Sequence, residues 1–447
     1  MRLRSRVAKI QRKGPHRELP VEVTYERMTP HLRRVGITRV ADITGLDRVG
    51  IPVYNAICPR SADVISVYNG KGATQLDAKT SAIMEAVERF SAALPLSPAA
   101  VASYSELQTE GRLALDPRTF NFQLHPQYDL AMPISWVKGQ DLMNDEPVLV
   151  PLFLAGYYAL FHEVPCYALA TSNGLASGNS LEEAIYHALC ELIERDDWTM
   201  ADLVCNRLSR AISAGRLGPR ASGPSAAWLQ ELHPNIDLDT LPVRARSLVN
   251  QFQQVGLRVE LKDLTSATGI PSILANVFED IAPTFSQGHM GLGTHPDAEV
   301  AVTRAISEVA QSRVVDINAL REDINLPNVK VPKYLYHVQR SGRVNREAWP
   351  YKRSLNSVRL EDMPSHPSED VMEDVRLMLD RLRSRGLAQA IVVDLSPPGI
   401  PASVVRLIVP GLESWIVDRS KMGPRAAAKW QSMLSLLSSA RVVAEAS

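Results

Sequence analysis

The chain has 447 residues, and its 49 lysines plus arginines are balanced by 49 aspartates plus glutamates. That length supports a large core shared by roughly two to four subdomains, and the balance excludes a global electrostatic drive toward nucleic acid or an anionic membrane. Cys58, Cys166, Cys190 and Cys205 form no C-x-x-C pair, which excludes a zinc or disulfide framework and points to a reducing cytoplasm; no apolar run approaches the ~20 residues of a membrane span, and the N-terminus lacks the apolar region of a secretory signal.

In chain order, residues 1–17 carry Arg2, Arg4, Arg6, Lys9, Arg12, Lys13 and Arg17. They read as a solvated terminus, with an arm for an acidic partner or a phosphate-rich ligand as the functional alternative. Apolar or alternating runs at 51–57, 148–152, 257–261 and 390–394 read as strands between longer helical patterns, so the fold class is α/β or α+β with mixed sheets. Breaks rich in proline and glycine at 95–98, 215–224 and 364–367 mark seams or surface loops. Residues 370–385 read as an amphipathic helix with a solvated charged face, and 425–443 as a packing helix.

A chemical pattern recurs three times: Ala82-Ile83-Met84-Glu85-Ala86-Val87-Glu88-Arg89, then Ala188-Leu189-Cys190-Glu191-Leu192-Ile193-Glu194-Arg195, then Ala305-Ile306-Ser307-Glu308-Val309-Ala310-Gln311-Ser312. The spacing is too wide for a solenoid, whose repeats recur every ~20–50 residues. At about 100° per residue, Ser81, Glu85, Glu88 and Arg89 share one helix face, opposite Ile83, Val87 and Phe90. Glu183, His187, Glu191 and Glu194 share a face in the second copy, and Arg304, Glu308 and Gln311 in the third.

One such helix alone is an ordinary salt-bridged surface, worth about 0.3–0.5 kcal/mol per pair. Three with the same order are expected to converge and gather Glu85, Glu88, Glu191, Glu194 and Glu308 in one cleft. Carboxylate oxygens without cysteine, or histidine at ligand spacing, favour magnesium, which bridges carboxylates to substrate phosphates. Arg89, Arg195 and Arg304 are expected to orient phosphate oxygens. Each helix is preceded by glycines: 70–74, 172–179 and 288–297. The first two read as turns or as close backbone approaches to an anion, the third as a turn leading into a cap, and neither of the first two is a Walker A sequence. His289 and His295 are secondary candidates for a base, with Asp297 read as a helix cap.

These blocks resemble the YcaO family of ATP-dependent enzymes that modify peptide backbones. The likeness runs from about residue 51 to 413 and is carried by Asn69-Gly70-Lys71-Gly72-Ala73-Thr74 with Ser81-x-x-x-Glu85-x-x-Glu88-Arg89, and by 172–179 with Glu183, Glu191, Glu194 and Arg195. Gly291-x-Gly293-x-His295 with Arg304, Glu308 and Gln311, and a last block from Ile400-Pro401 through Arg406 to Val409-Pro410-Gly411-Leu412-Glu413, complete it. The resemblance implies a YcaO-type ATP-binding fold in which three acidic helices converge on ATP and Mg2+. It implies Glu85, Glu88, Glu191, Glu194 and Glu308 as metal ligands, and Lys71, Ser81, Asn179, Glu183, Arg195, Arg304 and Gln311 around the nucleotide. Glu191, Glu194, Arg195 and Arg304 are the implied catalytic set.

The resemblance also implies a division into a basic arm and lead-in (1–50), a catalytic domain (51–413) and a C-terminal helical segment (414–447). The implied chemistry is addition of a nucleophile to a peptide carbonyl, phosphorylation of the resulting oxyanion by ATP, and departure of phosphate. Azoline-forming members end in a proline-rich tail, whereas this sequence ends Arg441-Val442-Val443-Ala444-Glu445-Ala446-Ser447 and looks most like members that work with a separate TfuA protein. Thioamide formation on a peptide or protein, with a TfuA-like sulfur-delivery partner, is therefore expected. Azoline cyclodehydration and a non-catalytic nucleotide-binding scaffold are the alternatives. A homodimer is the expected assembly.

Overall fold

The structure, a computed structural model, describes all residues except 11–16, 60, 62–64, 158–162, 164, 168–170, 217–223, 283–284, 320–342, 419 and 446–447. Its first sheet is antiparallel and runs β1(Arg39–Asp42), β2(Val53–Ile57), β3(Val67–Lys71). A second holds β4(Ala100–Ala102), β5(Ile134–Asp141), β14(Ile391–Asp394), β15(Ser403–Ile408) and β7(Leu175–Gly178) in that order, with β6(Glu146–Pro151) paired to β5. A third sheet has the order β12(Arg343–Val344), β11(Phe285–Thr294), β10(Ser272–Ala282), β9(Arg258–Asp263), β8(Asn235–Ile236), β13(Ser357–Val358). The expected strands at 51–57, 148–152, 257–261 and 390–394 are β2, β6, β9 and β14.

Seven α-helices of eight or more residues occur among the described residues: α1(Val21–Met28), α2(Gln75–Ala92), α3(Leu181–Asp202), α4(Val243–Gln254), α5(Ala298–Ala319), α6(Val371–Ser384) and α7(Pro424–Glu445). None is long and apolar enough to cross a membrane.

Each acidic helix follows a strand and lies on it: α2 on β3, α3 on β7, α5 on β11. The glycines make this possible. A Cβ on Gly70 would lie 2.1 Å from Ala82 N, on Gly178 2.6 Å from Ala184 N, and on Gly293 2.2 Å from Ala301 O. Their lack of a side chain thus serves helix-on-strand contact, which for Gly70 and Gly178 stands in place of the expected approach to an anion. Gly174 is the turn residue of the set, with φ +79° and its Cβ position 2.2 Å from Leu407 O.

The apolar faces fix how the helices are rotated. Ile83, Ala86 and Val87 enter one core with β2 and β5. Ile185, Leu189 and Ile193 pack on Val375, Met378 and Leu382 of α6, and Val302, Ile306 and Val309 on Leu248, Val249 and Phe252 of α4. Each buried aliphatic side chain is worth ~1.5–3 kcal/mol. That outweighs any exposed ion pair, so the acids go where the apolar faces leave them. Capping fixes the starts: Thr74 and Asp77 form a reciprocal box, Ser180 accepts from Glu183 N, and Asp297 accepts from Glu299 N, the role expected for Asp297.

Two expectations about surface charge hold only in part. Arg2, Arg4 and Arg6 are exposed as expected, but the basic terminus is also pinned: Val7 N donates to Asp370, Lys9 pairs with Asp374 with both side chains nearly fully buried, and Arg4 bridges Glu18 and Glu182. Arg12 and Lys13 lie outside the described residues. The charged face of α6 is correspondingly not all solvated, because Asp374 receives Lys9 and Ser368.

Candidate nucleotide site

The polar faces of α2, α3 and α5 open on one cavity of about 1320 Å³. Its lining includes Lys71, Ser81, Glu85, Glu88, Asn179, Glu183, Glu191, Glu194, Arg195, Arg304, Glu308 and Gln311. The expected metal ligands and nucleotide contacts are therefore in one place, although the three sequence blocks are about a hundred residues apart.

Crowded acids set the electrostatics. Burial, then Glu85 and Glu191, hold the Glu88 carboxyl well above the usual range. Burial also raises Glu191, and it pushes Glu194 up to about 7, with Glu308 adding to the repulsion. Glu308 is the exception. Burial would raise it, but Lys71 Nζ donates to its Oε2 at 2.5 Å and, with Arg195, brings it below the ordinary value. Arg195 sits 3.9 Å from both Glu191 and Glu194, too far for hydrogen bonds, and its buried Nε has no acceptor among the described residues. Among the described residues, no three His, Cys, Asp or Glu side chains are placed to hold a metal together.

A second network closes the cavity at the start of α3. Arg17 donates to Glu183 Oε1 at 2.8 Å and to His187 Nε2 at 2.6 Å, while Glu18 N and Asn179 Nδ2 also donate to the Glu183 carboxylate. Thr24 Oγ1 donates to Asn179 Oδ1 at 2.9 Å. Glu183 is thus saturated by protein donors and holds Asn179 and Arg17 in the wall. His187 stays neutral, its pKa well below the ordinary value through burial and then Arg17 and Arg304. Arg17 and Thr24 are cavity residues that the motifs missed. The only cue was the basic run, and nothing in it marks Arg17 over its neighbours.

Three other expectations need correction. Arg89 does not line the cavity; it donates to Tyr157 OH at 2.7 Å, and Arg406 lies across the same ring. His289 and His295 are not cavity residues either. His295 is buried, with Nδ1 accepting from Asp297 N and Nε2 against Tyr186 OH, and His289 lies 3.1 Å from Asp316. They are parts of the β11 and α5 packing rather than bases.

Comparison with known proteins agrees with this arrangement. Residues 69–413 match the family described as YcaO cyclodehydratase, ATP- and Mg2+-binding. An uncharacterized protein of Methanothermobacter thermautotrophicus is 35% identical over 403 residues, covering 88% of this chain and 94% of its own. One from Rhizobium leguminosarum bv. trifolii, described as lying in the tfuA 3' region, is 32% identical over 395 residues, covering 87% of each chain. Among solved structures, a heterocyclase in complex with substrate and cofactor superposes with TM-score 0.73 at 22% identity, over 93% of this chain and 54% of that one; this chain spans about half its length. YcaO from Methanopyrus kandleri, bound with AMPPCP and Mg2+, superposes with TM-score 0.63 at 24% identity, over 94% of this chain and 99% of that one. Three acidic helices on glycine-bearing strands, a shared polar cavity and a family match over most of the sequence agree: the chain belongs to the ATP- and Mg2+-binding YcaO family.

Proposed function

We propose that the protein uses ATP to activate the oxygen of a peptide-backbone amide, and that the product is a thioamide. The observation that carries the amide activation is the cavity itself, where Glu85, Glu88, Glu191, Glu194 and Glu308 face Lys71, Arg195 and Arg304. The Glu88 and Glu194 carboxyls, raised first by burial and then by neighbouring carboxylates, beside a buried guanidinium Nε without an acceptor among the described residues, fit a divalent cation together with phosphate oxygens. Among the described residues no three acids are placed to hold a metal together, so the residues would suit Mg2+, which takes one or two carboxylates along with substrate phosphates.

In this scheme hydrosulfide forms a C–S bond to the peptide carbonyl carbon, and the carbonyl π pair moves to oxygen. That oxygen takes the γ-phosphoryl group as ADP leaves. The C–O bond then breaks with its electrons leaving on phosphate, and loss of a proton completes the C=S bond. Bound Mg2+ supplies neutralisation of the phosphates. Arg195 and Arg304 would orient phosphoryl oxygens, and Mg2+ would be held by one or two carboxylates at a time drawn from Glu85, Glu88, Glu191, Glu194 and Glu308. Lys71 keeps Glu308 ionised, and Glu183 positions Asn179 and Arg17 against the nucleotide.

One observation supports sulfide over a nucleophile from the peptide: the Rhizobium relative is described as lying in the tfuA 3' region, consistent with a TfuA-like sulfur-delivery partner here. Azoline cyclodehydration is the second reading, favoured by the family's description and by the heterocyclase fold neighbour. Protein, precursor peptide, ATP, Mg2+, sulfide and partner should yield a peptide heavier by the mass difference between sulfur and oxygen. Dehydrated peptide would establish cyclodehydration instead, and an unchanged peptide without phosphate release would remove both.

A further inference from the structure

β3 is an edge strand, and Val67, Asn69 and Lys71 on it line the nucleotide cavity. Cys58 N donates to Ser66 O at 2.8 Å, and the register continues Ile57 to Val67 and Ala56 to Tyr68. Bonded and non-bonded pairs alternate in an antiparallel ladder, so Tyr68 and Gly70 turn their backbone groups to β2. Val67, Asn69 and Lys71 turn theirs to the outer edge. Those outward groups have no hydrogen-bond partner among the described residues, and all three residues are half-buried and line the cavity.

An open edge is normally blunted, because it pairs readily with another chain. Here it is recessed beside the acidic cluster, with Lys71 at its end bound to Glu308. β1, the opposite edge of this sheet, contributes nothing to the cavity. β7 also ends its sheet, but Leu175 N is taken by Ser172 O and Gly178 is pressed against α3. At ~3.4 Å per residue, β3 offers about 17 Å of unpaired backbone. The cavity volume of about 1320 Å³ exceeds the ~300–1,000 Å³ of ordinary small-molecule pockets, leaving room beside a nucleotide.

Building on the peptide-amide activity proposed above, we infer that the substrate peptide docks as an added strand on the outer edge of β3. Its main chain pairs with Val67, Asn69 and Lys71, and its next residues pass Glu308 into the acidic cluster. Strand addition is read chiefly through the main chain, so one edge accepts varied sequences and presents each with its backbone, the group to be modified, toward the acids.

The test uses the full-length protein with Mg2+ and AMPPCP, and as probe an equimolar pool of random-sequence peptides of about twelve residues, long enough to cover the edge. Amide hydrogen exchange is read residue by residue. Without peptide, Tyr68 and Gly70 amides are protected and those of Val67, Asn69 and Lys71 exchange freely; the pool should slow the latter three. Val67→Pro removes one outward N–H that β2 does not use, and should weaken binding of the pool on the order of fivefold. Val67→Ala keeps the N–H and should bind as the parent does. Protection confined to α4, unchanged exchange at millimolar peptide, or equal binding by Val67→Pro and the parent overturns the docking mode. AMPPCP affinity separates the two levels: if Mg2+ and AMPPCP fail to bind the parent, the proposed activity fails whatever the exchange pattern shows.

Discussion

Glu194→Gln should stabilise the protein in the absence of nucleotide and magnesium, and only where the glutamate would be charged. Burial and neighbouring charge push Glu194 from 4.5 to about 7. An acid whose native pKa exceeds its unfolded value binds more protons folded than unfolded. Its ionisation therefore destabilises as pH rises, starting near the unfolded pKa and complete above the native one. At about 1.4 kcal/mol per pH unit of displacement, the burden is ~3 kcal/mol at about pH 8. Glutamine removes that charge, and the attraction of Arg195 at 3.9 Å is already contained in the net displacement. The gain is on the order of 3 kcal/mol, read as a higher urea midpoint at about pH 8 that shrinks toward zero near pH 4.5. Saturating Mg2+ and AMPPCP should reverse the order, because only the parent gains a cation ligand. A variant less stable than the parent at pH 8, or equally stabilised at both pH values, would refute the electrostatic account of the cavity.

The same carboxyl predicts that nucleotide binding with Mg2+ releases protons. Calorimetry in buffers of different ionisation enthalpy should show release that is greatest below about pH 7, with affinity rising through that range and levelling above it; affinity independent of pH contradicts it. Arg17→Ala should weaken AMPPCP binding on the order of tenfold while Arg17→Lys retains most of it, since the cation borders the cavity and is braced by Glu183; equal affinity in all three removes Arg17 from the site. Gly70→Val places a side chain where a Cβ already meets Ala82 N at 2.1 Å. It should cost more than ~3 kcal/mol and leave little folded protein in a solubility assay.

Those predictions rest on features of unequal visibility in the sequence. The acidic faces were legible because a helix repeats every 3.6 residues, so Glu85 with Glu88 and Glu191 with Glu194 had to share faces opposite Ile83 and Leu189. That the three faces meet is a property of sheet order, and it reached the sequence level through the repetition and the family resemblance. The glycines misled, since a residue lacking Cβ serves equally for an anion and for a helix lying on a strand, and Gly70, Gly178 and Gly293 do the latter. Arg17 was hidden in a run of like charges, and its partner Glu183 is 166 residues away. Arg89 carried the motif pattern but turns to Tyr157, a contact no local spacing encodes.

Transfer of the amide oxygen tests the central claim most directly. A substrate peptide bearing a heavy-oxygen label at the carbonyl to be modified is incubated with protein, ATP, Mg2+, sulfide and partner, and phosphate and peptide are weighed by mass spectrometry. The account predicts one labelled oxygen in phosphate for each modified residue, with sulfur in its place on the peptide and none of this in Glu191→Gln. Unlabelled phosphate alongside modified peptide would show that ATP is spent on something other than the amide oxygen.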